Sequence, residues 1–216
     1  MIFKDNATAF QQEIQQRGIT RLIHFTPFEN VTIIVGEGKI LPRNKLHNIS
    51  WEWKELSTVN TAKRFDPKRN LNTSIMHSNV YLLKYFKSQH PGRRFCVIGI
   101  DCKYIYEKQT TFSTTNATYR VATIGGDIQT FRFLFGEKVE SRSGGNYVTM
   151  KRKDNLAPCH PTDPQAEVLI QAAIPYADIL FIACRDQFEL DLLASAFYVL
   201  RLPEEKLCVE PTLFEP

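Results

Sequence analysis

Two short stretches carry the side chains whose types and spacing could do chemistry. In DPQAEVL, Gln165 and Glu167 sit two residues apart at the start of an apolar run, so both project to one face where a strand meets a loop. An amide there can read a base or a residue, and a carboxylate beside it can act on what is read. By residue type alone, the pair also reads as an ordinary solvated strand end. In LIHFT, His24 and Thr26 share one face of a strand-like run and Phe25 turns to the other. An imidazole and a hydroxyl at that spacing can hold a ribose or an amide; the plainer reading is a half-buried structural histidine.

Cations gather in two places. Lys63, Arg64, Lys68 and Arg69 form one group, and Arg142, Lys151, Arg152 and Lys153 form another ahead of Glu167; Phe65 and Tyr147 lie within or beside them. Charge combined with stacking surface is the composition of single-stranded nucleic-acid grooves, although a basic loop also serves solubility alone. No phosphate-binding glycine loop, dinucleotide fingerprint, nucleophile elbow or zinc-protease helix motif occurs. The five cysteines are scattered and never spaced C-x-x-C, which points away from a disulfide framework or a zinc site and toward a reducing compartment.

These groups need elements to position them. ATAFQQEIQQR (7–17) suits a short amphipathic helix closed by Gly18, TRLIHFT (20–26) a strand, and the segment after Pro27 a short helix stopping at Gly36 or Gly38. Residues 43 to 75 show little periodicity apart from the bulk of Trp51 and Trp53, and a long stretch of that kind is functional or disordered. NVYLLKYFKS (79–88) reads as a helix and RRFCVIGID (93–101) as the best strand, which should be central. KQTTFSTTNATYR reads as an edge strand or loop, TFRFLFG (130–136) as a strand, and SRSGGNY as a flexible turn. The segment from Thr149 toward Gln165 reads as a basic, strand-poor loop. ILFIAC then gives a strand, followed by a helix with an apolar stripe at Phe188, Leu192, Leu193, Ala196 and Phe197, and by a last short strand or tail in LPEEKLCVEP. Strands and helices mix without regular alternation, so the expected class is α+β with a mainly antiparallel sheet, in one domain spanning 1–216. A net charge of +4 permits a polyanionic partner without requiring one. With no long apolar run and no leader-like N-terminus, the expected location is cytoplasmic, away from membranes.

Taken together, the blocks ITRLIHFTPFENVTIIVGEGKILPRNKL, RFDPKRNLNTSIMHSNVYL, FSTTNAT and DPQAEVLIQAAIP resemble, in order, the DarT family of DNA ADP-ribosyltransferases, over about residues 18 to 185. The resemblance implies a split, mainly antiparallel sheet with flanking helices whose cleft binds NAD as co-substrate, with no metal. It implies transfer of ADP-ribose to a base of single-stranded DNA. His24 and Thr26 would hold the nicotinamide ribose and amide region, with Phe25 between them in the cofactor site, and Asn30 and Leu41 would line the pocket. Glu167 would be the catalytic glutamate. Arg64, in an R-x-D pattern with Asp66, would contact the NAD phosphates or polarise the base. Asn116, Lys151, Arg152, Lys153 and Gln165 would face DNA. The chain departs from the family's commoner pattern at Thr118 and Ser78, which bears on the choice of acceptor; the middle block looks nearer the guanine-modifying branch than the thymidine-modifying one. The expected partners are single-stranded DNA and an antitoxin that removes the modification, macrodomain-type or another ADP-ribosyl hydrolase. The rival readings are an ADP-ribosyltransferase of RNA or protein, and a degenerate module that binds nucleic acid or a partner protein without turnover.

Overall fold

The computed structural model describes residues 1–43, 45 and 70–215. The chain opens with helix α1 (Ala7–Arg17), which ends on Gly18 in the left-handed region (φ 69°), where a glycine carries no side-chain penalty. Strand β1 (Arg21–Pro27), helix α2 (Phe28–Gly36) and strand β2 (Lys39–Ile40) follow, and the description resumes before β3 (Leu71–Ile75). Next come α3 (Val80–Gln89), β4 (Phe95–Asp101), β5 (Thr111–Ser113), β6 (Ile124–Gly125) and α4 (Ile128–Phe133). The remaining elements are β7 (Lys138–Ser143), β8 (Asn146–Lys151), β9 (Glu167–Ile170), β10 (Ile174–Pro175), β11 (Ile179–Cys184), α5 (Gln187–Leu200) and β12 (Leu207–Val209). Short 3-10 turns at Cys102–Tyr106, Tyr176–Asp178 and Pro211–Phe214 complete the set.

Among the described residues, an eight-stranded sheet runs β12-β11-β4-β1-β3-β9-β5-β6. The β11–β12 pairing is parallel and the others are antiparallel. β4 is apolar and buried from Phe95 to Ile100, as a strand covered on both faces must be. Cys96, Ile98 and Ile100 join the larger core with Phe10 of α1, Val31 of α2, Phe131 of α4 and Phe197 of α5; Phe95 and Val97 join a smaller core with Leu83 and Phe86 of α3 and Phe214.

The feature that makes room for a site lies between β1 and β3. β1 pairs with β4 from Arg21 to Pro27, but with β3 only at Leu22–Ile75 and Ile23–Ser74. Beyond those pairs the sheet splits, and a cleft opens between the His24–Pro27 end of β1 and the start of β3.

Three expectations from sequence are corrected. TFRFLFG is the end of helix α4 and its following turn, not a strand: Phe131, Leu134 and Phe135 are buried while Arg132 and Phe133 face outward, a helical spacing, and the Asp127 side chain accepts from Thr130 N at 2.8 Å to cap the start. SRSGGNY (141–147), expected as a flexible turn, and the first residues of the expected strand-poor loop from Thr149 belong to the β7–β8 hairpin. Gly144 and Gly145 make its two-residue turn with φ of 56° and 89°, the signature of a type I′ turn. The stripe of α5 is also rotated from the expected one, since Phe188 and Leu192 are exposed and Leu193, Phe197 and Glu189 are buried. Arg185 lies 3.3 Å from the Glu189 carboxylate, which makes burial of that charge tolerable.

Candidate active site in the split of the sheet

The cleft encloses about 190 Å³ and draws its walls from β1, α2, the segment after β2, β3, the start of α3 and Glu167. His24 is half-buried on its lip and its Nδ1 lies 2.9 Å from the main-chain oxygen of Asn72. A carbonyl only accepts, so Nδ1 is the donor in this contact. This contact is a side-chain bridge across the gap where the β1–β3 ladder stops. Thr26, buried on the same side of β1, accepts at Oγ1 from Asn30 Nδ2 at 2.9 Å and so keeps its own proton to donate. Asn30 Oδ1 is buried against the cleft with no partner among the described residues. Phe25, on the other face of β1, also lines the cleft, its ring centroid 5.9 Å from that of Phe86 and 6.3 Å from that of Phe95. Leu41 lines the cleft just after β2.

Glu167 opens β9 as expected but is not a solvated strand end: it is 3% exposed. Strict alternation turns it away from Val168 and Ile170, which enter the larger core, and the split lets it reach the cleft that His24 also lines. Its Oε2 accepts from Ala117 N at 2.9 Å. Ala117 is presented by a tight turn in which Asn116 Oδ1 accepts from Thr118 N at 3.1 Å and Thr118 Oγ1 at 2.8 Å. Thr118, the departure noted in sequence, therefore locks the turn that holds the carboxylate. Two residues on, Tyr119 donates its hydroxyl to Gln165 Oε1 at 3.2 Å, so one turn fixes both heads of the Gln165–Glu167 pair.

The basic residues divide. Lys151, opposite Lys138 at the end of the hairpin, and Lys153 are exposed. Arg152 is half-buried: its guanidinium donates to His160 O and Ala157 O at 3.0 Å each and to Thr162 Oγ1 at 3.3 Å, so it organises the loop before Glu167. Burial, with help from His77, Arg152 and Arg21, holds the His160 imidazole below its usual pKa. The hairpin joins the site through Ser141, whose Oγ lies 2.9 Å from Thr115 Oγ1, next to the Asn116 turn. Arg64, with Lys63, Lys68 and Arg69, lies outside the described residues.

Sequence reasoning missed Asn72 and Asn79, both on the cleft wall. The signal for the first was the alternation of Leu71, Thr73 and Ile75, too short to stand out from a polar stretch. Among the described residues, no group of three or more His, Cys, Asp or Glu could hold a metal, and no helix is long and apolar enough to cross a membrane.

A mainly antiparallel sheet is thus split around a cleft, with His24 on one lip and the buried Glu167 reaching in from the other. Residues 23–215 match the DarT family model, described as an ssDNA thymidine ADP-ribosyltransferase, and the chain belongs to that family. Its fold is similar to that of Thermus sp. 2.9 DarT in complex with carba-NAD+, with a TM-score of 0.58 at 13% identity over 91% of this chain and 98% of the other. Similarity to the same protein in complex with ADP-ribosylated ssDNA gives a TM-score of 0.52 at 14% identity over 92% and 97%. Thermosipho africanus DarTG in complex with ADP-ribose gives 0.53 at 13% identity, over 90% of this chain and 51% of that one. No curated protein matches the chain.

Proposed function

We propose that the chain transfers ADP-ribose from NAD to thymine in single-stranded DNA, with His24, Thr26 and Asn30 holding the nicotinamide-ribose end and Glu167 as the catalytic carboxylate. The observation that carries this reading is the buried Glu167 lining one cleft with His24 at the split of the sheet. The cleft suits the co-substrate: the His24 imidazole lines it, Thr26 is a donor for a ribose hydroxyl, and the unmet Asn30 Oδ1 an acceptor for an amide or hydroxyl. When bound, NAD supplies the ADP-ribosyl group, and positive charge builds at the ribose C1′ as nicotinamide leaves. A buried carboxylate fixed by Ala117 N is placed to stabilise that charge without reorganising. The exposed Lys151 and Lys153 supply phosphate contacts at the rim. The family's thymidine description favours thymine over the guanine that the middle block suggested.

We propose further that the chain acts in the cytoplasm as a toxin, because a bulky, charged group on a template base would obstruct pairing. Its antitoxin is an ADP-ribosyl hydrolase of macrodomain or other type; the likeness to a DarTG in complex with ADP-ribose supports a partner that handles that group. The test is incubation with NAD and oligonucleotides containing thymine only, guanine only, or neither, read by intact mass. Addition of an ADP-ribosyl group to the thymine oligonucleotides alone is expected. Transfer to guanine alone would overturn the choice of base, and transfer to RNA or protein but to no DNA would overturn the acceptor class.

A further inference from the structure

Asn72 and Asn79 line the cleft but take no part in the His24–Glu167 arrangement beyond the Asn72 main-chain oxygen. β3 ends at Ile75, and Met76 adopts a left-handed φ of 63° and swings the chain into Ser78 and Asn79 at the head of α3. Asn79 is 3% exposed, and its Oδ1 caps the helix by accepting from Leu82 N at 3.0 Å. Its Nδ2 is left buried without an acceptor among the described residues, and so is Nδ2 of Asn72. Native proteins rarely bury an N–H unmet, and two such donors on one cleft wall await an oxygen that a ligand brings.

The same wall is aromatic and apolar, with Phe25, Leu82 and Phe86. Donors set in such a wall fit a flat ring that carries a carbonyl oxygen. Two rings in the proposed reaction qualify, the nicotinamide and the acceptor thymine. A thymine arrives tethered to a charged strand, whereas the Asn79 donor is itself buried, on a residue 3% exposed, which favours the small ring that ends free. Resting on the reading of this cleft as a NAD site, we propose that Asn79, with Asn72, binds the carboxamide oxygen of nicotinamide. The ring turns from cationic to neutral as the bond from C1′ to its nitrogen breaks and the electron pair stays on that nitrogen. Its oxygen is then the better acceptor, so the Asn79 donor favours departure as well as binding.

Asn79→Asp tests this without removing the helix cap, since a carboxylate oxygen replaces Oδ1 as acceptor for Leu82 N while the donor is lost. We expect an unchanged melting temperature, NAD affinity measured by calorimetry without DNA lowered about 10-fold or more, and nicotinamide inhibition of transfer weakened alongside it. KM for the oligonucleotide stays as in the wild type. Asn79→Ser, a second residue able to cap, moves the same readouts in the same direction. NAD affinity and nicotinamide inhibition at wild-type values in both variants would overturn the proposal. A rise in oligonucleotide KM alone would assign the wall to the acceptor base and overturn it too. A wild-type protein that binds no NAD would instead sink the enzymatic reading itself.

Discussion

Replacing Glu167 separates its chemistry from its place in the fold. The carboxylate is buried and accepts from Ala117 N at 2.9 Å, so Glu167→Ala removes an acceptor and leaves a main-chain N–H unmet, at about 1–3 kcal/mol. For a chain of this size each kcal/mol moves the melting temperature by roughly 2–4 °C, so the alanine variant should melt about 2–12 °C lower. Glu167→Gln keeps an oxygen in the same position and removes only the charge. Its melting temperature should lie close to the wild type, while transfer, if charge at C1′ is what the carboxylate stabilises, falls about 10²–10³-fold. The assay pairs thermal melting with the rate of mass gain on a thymine oligonucleotide at saturating NAD. Wild-type transfer by the glutamine variant would refute the electrostatic role. An alanine variant that melts like the wild type would refute the argument that the carboxylate supports the Asn116 turn.

The three basic residues ahead of the site should behave differently. Lys151→Ala and Lys153→Ala should each flatten the salt dependence of single-stranded DNA binding by about 0.7 in log–log slope and leave melting unchanged; an unaltered slope would remove them from the DNA path. Arg152→Ala takes charged hydrogen bonds from His160 O, Ala157 O and Thr162 and should lower the melting temperature by several degrees, which the lysine variants do not do. Asp178 offers a pH prediction. Burial pushes its carboxyl up, but hydrogen bonds from Lys103 and Tyr104 outweigh this and hold its pKa below the ordinary value. A depressed folded-state pKa contributes stability that is fully present above the unfolded value of about 3.9 and is lost as pH falls through the lower folded value. Asp178→Asn should therefore melt lower than the wild type at neutral pH, with the gap closing in acid; a gap independent of pH would contradict this.

Much of the positioning frame was legible because single residues fix it. Gly18 closes α1, the unbroken apolar run of β4 demands cover on both faces, and Glu167 opens β9 at the expected residue. The failures have physical causes. In TFRFLFG the aromatic and β-branched content favours a strand, and only the Asp127–Thr130 cap and the spacing of Phe131, Leu134 and Phe135 betray a helix. In α5 most positions are apolar, so the sequence does not say which side turns inward. Of the site, His24, Thr26, Asn30, Leu41 and Glu167 all line one cleft, whereas the hydrogen bonds of Arg152 could not be read because they depend on carbonyls of a loop with no periodicity. Asn79 was hidden for a related reason: as a helix cap it looks fully explained, and its spare donor shows only once the cleft is seen.

The short pairing of β1 with β3 also bears on how the molecule breathes. Where two adjacent strands share only Leu22–Ile75 and Ile23–Ser74, few main-chain bonds resist their parting, and the His24–Asn72 contact is the next tie along the seam. Amide protons of β1 that face β3 should thus exchange with solvent sooner than those that face β4 along the full ladder. A molecule lodged across that seam, touching both His24 and Glu167, joins the two halves, so occupancy of the cleft should register as slowed exchange in both strands at once.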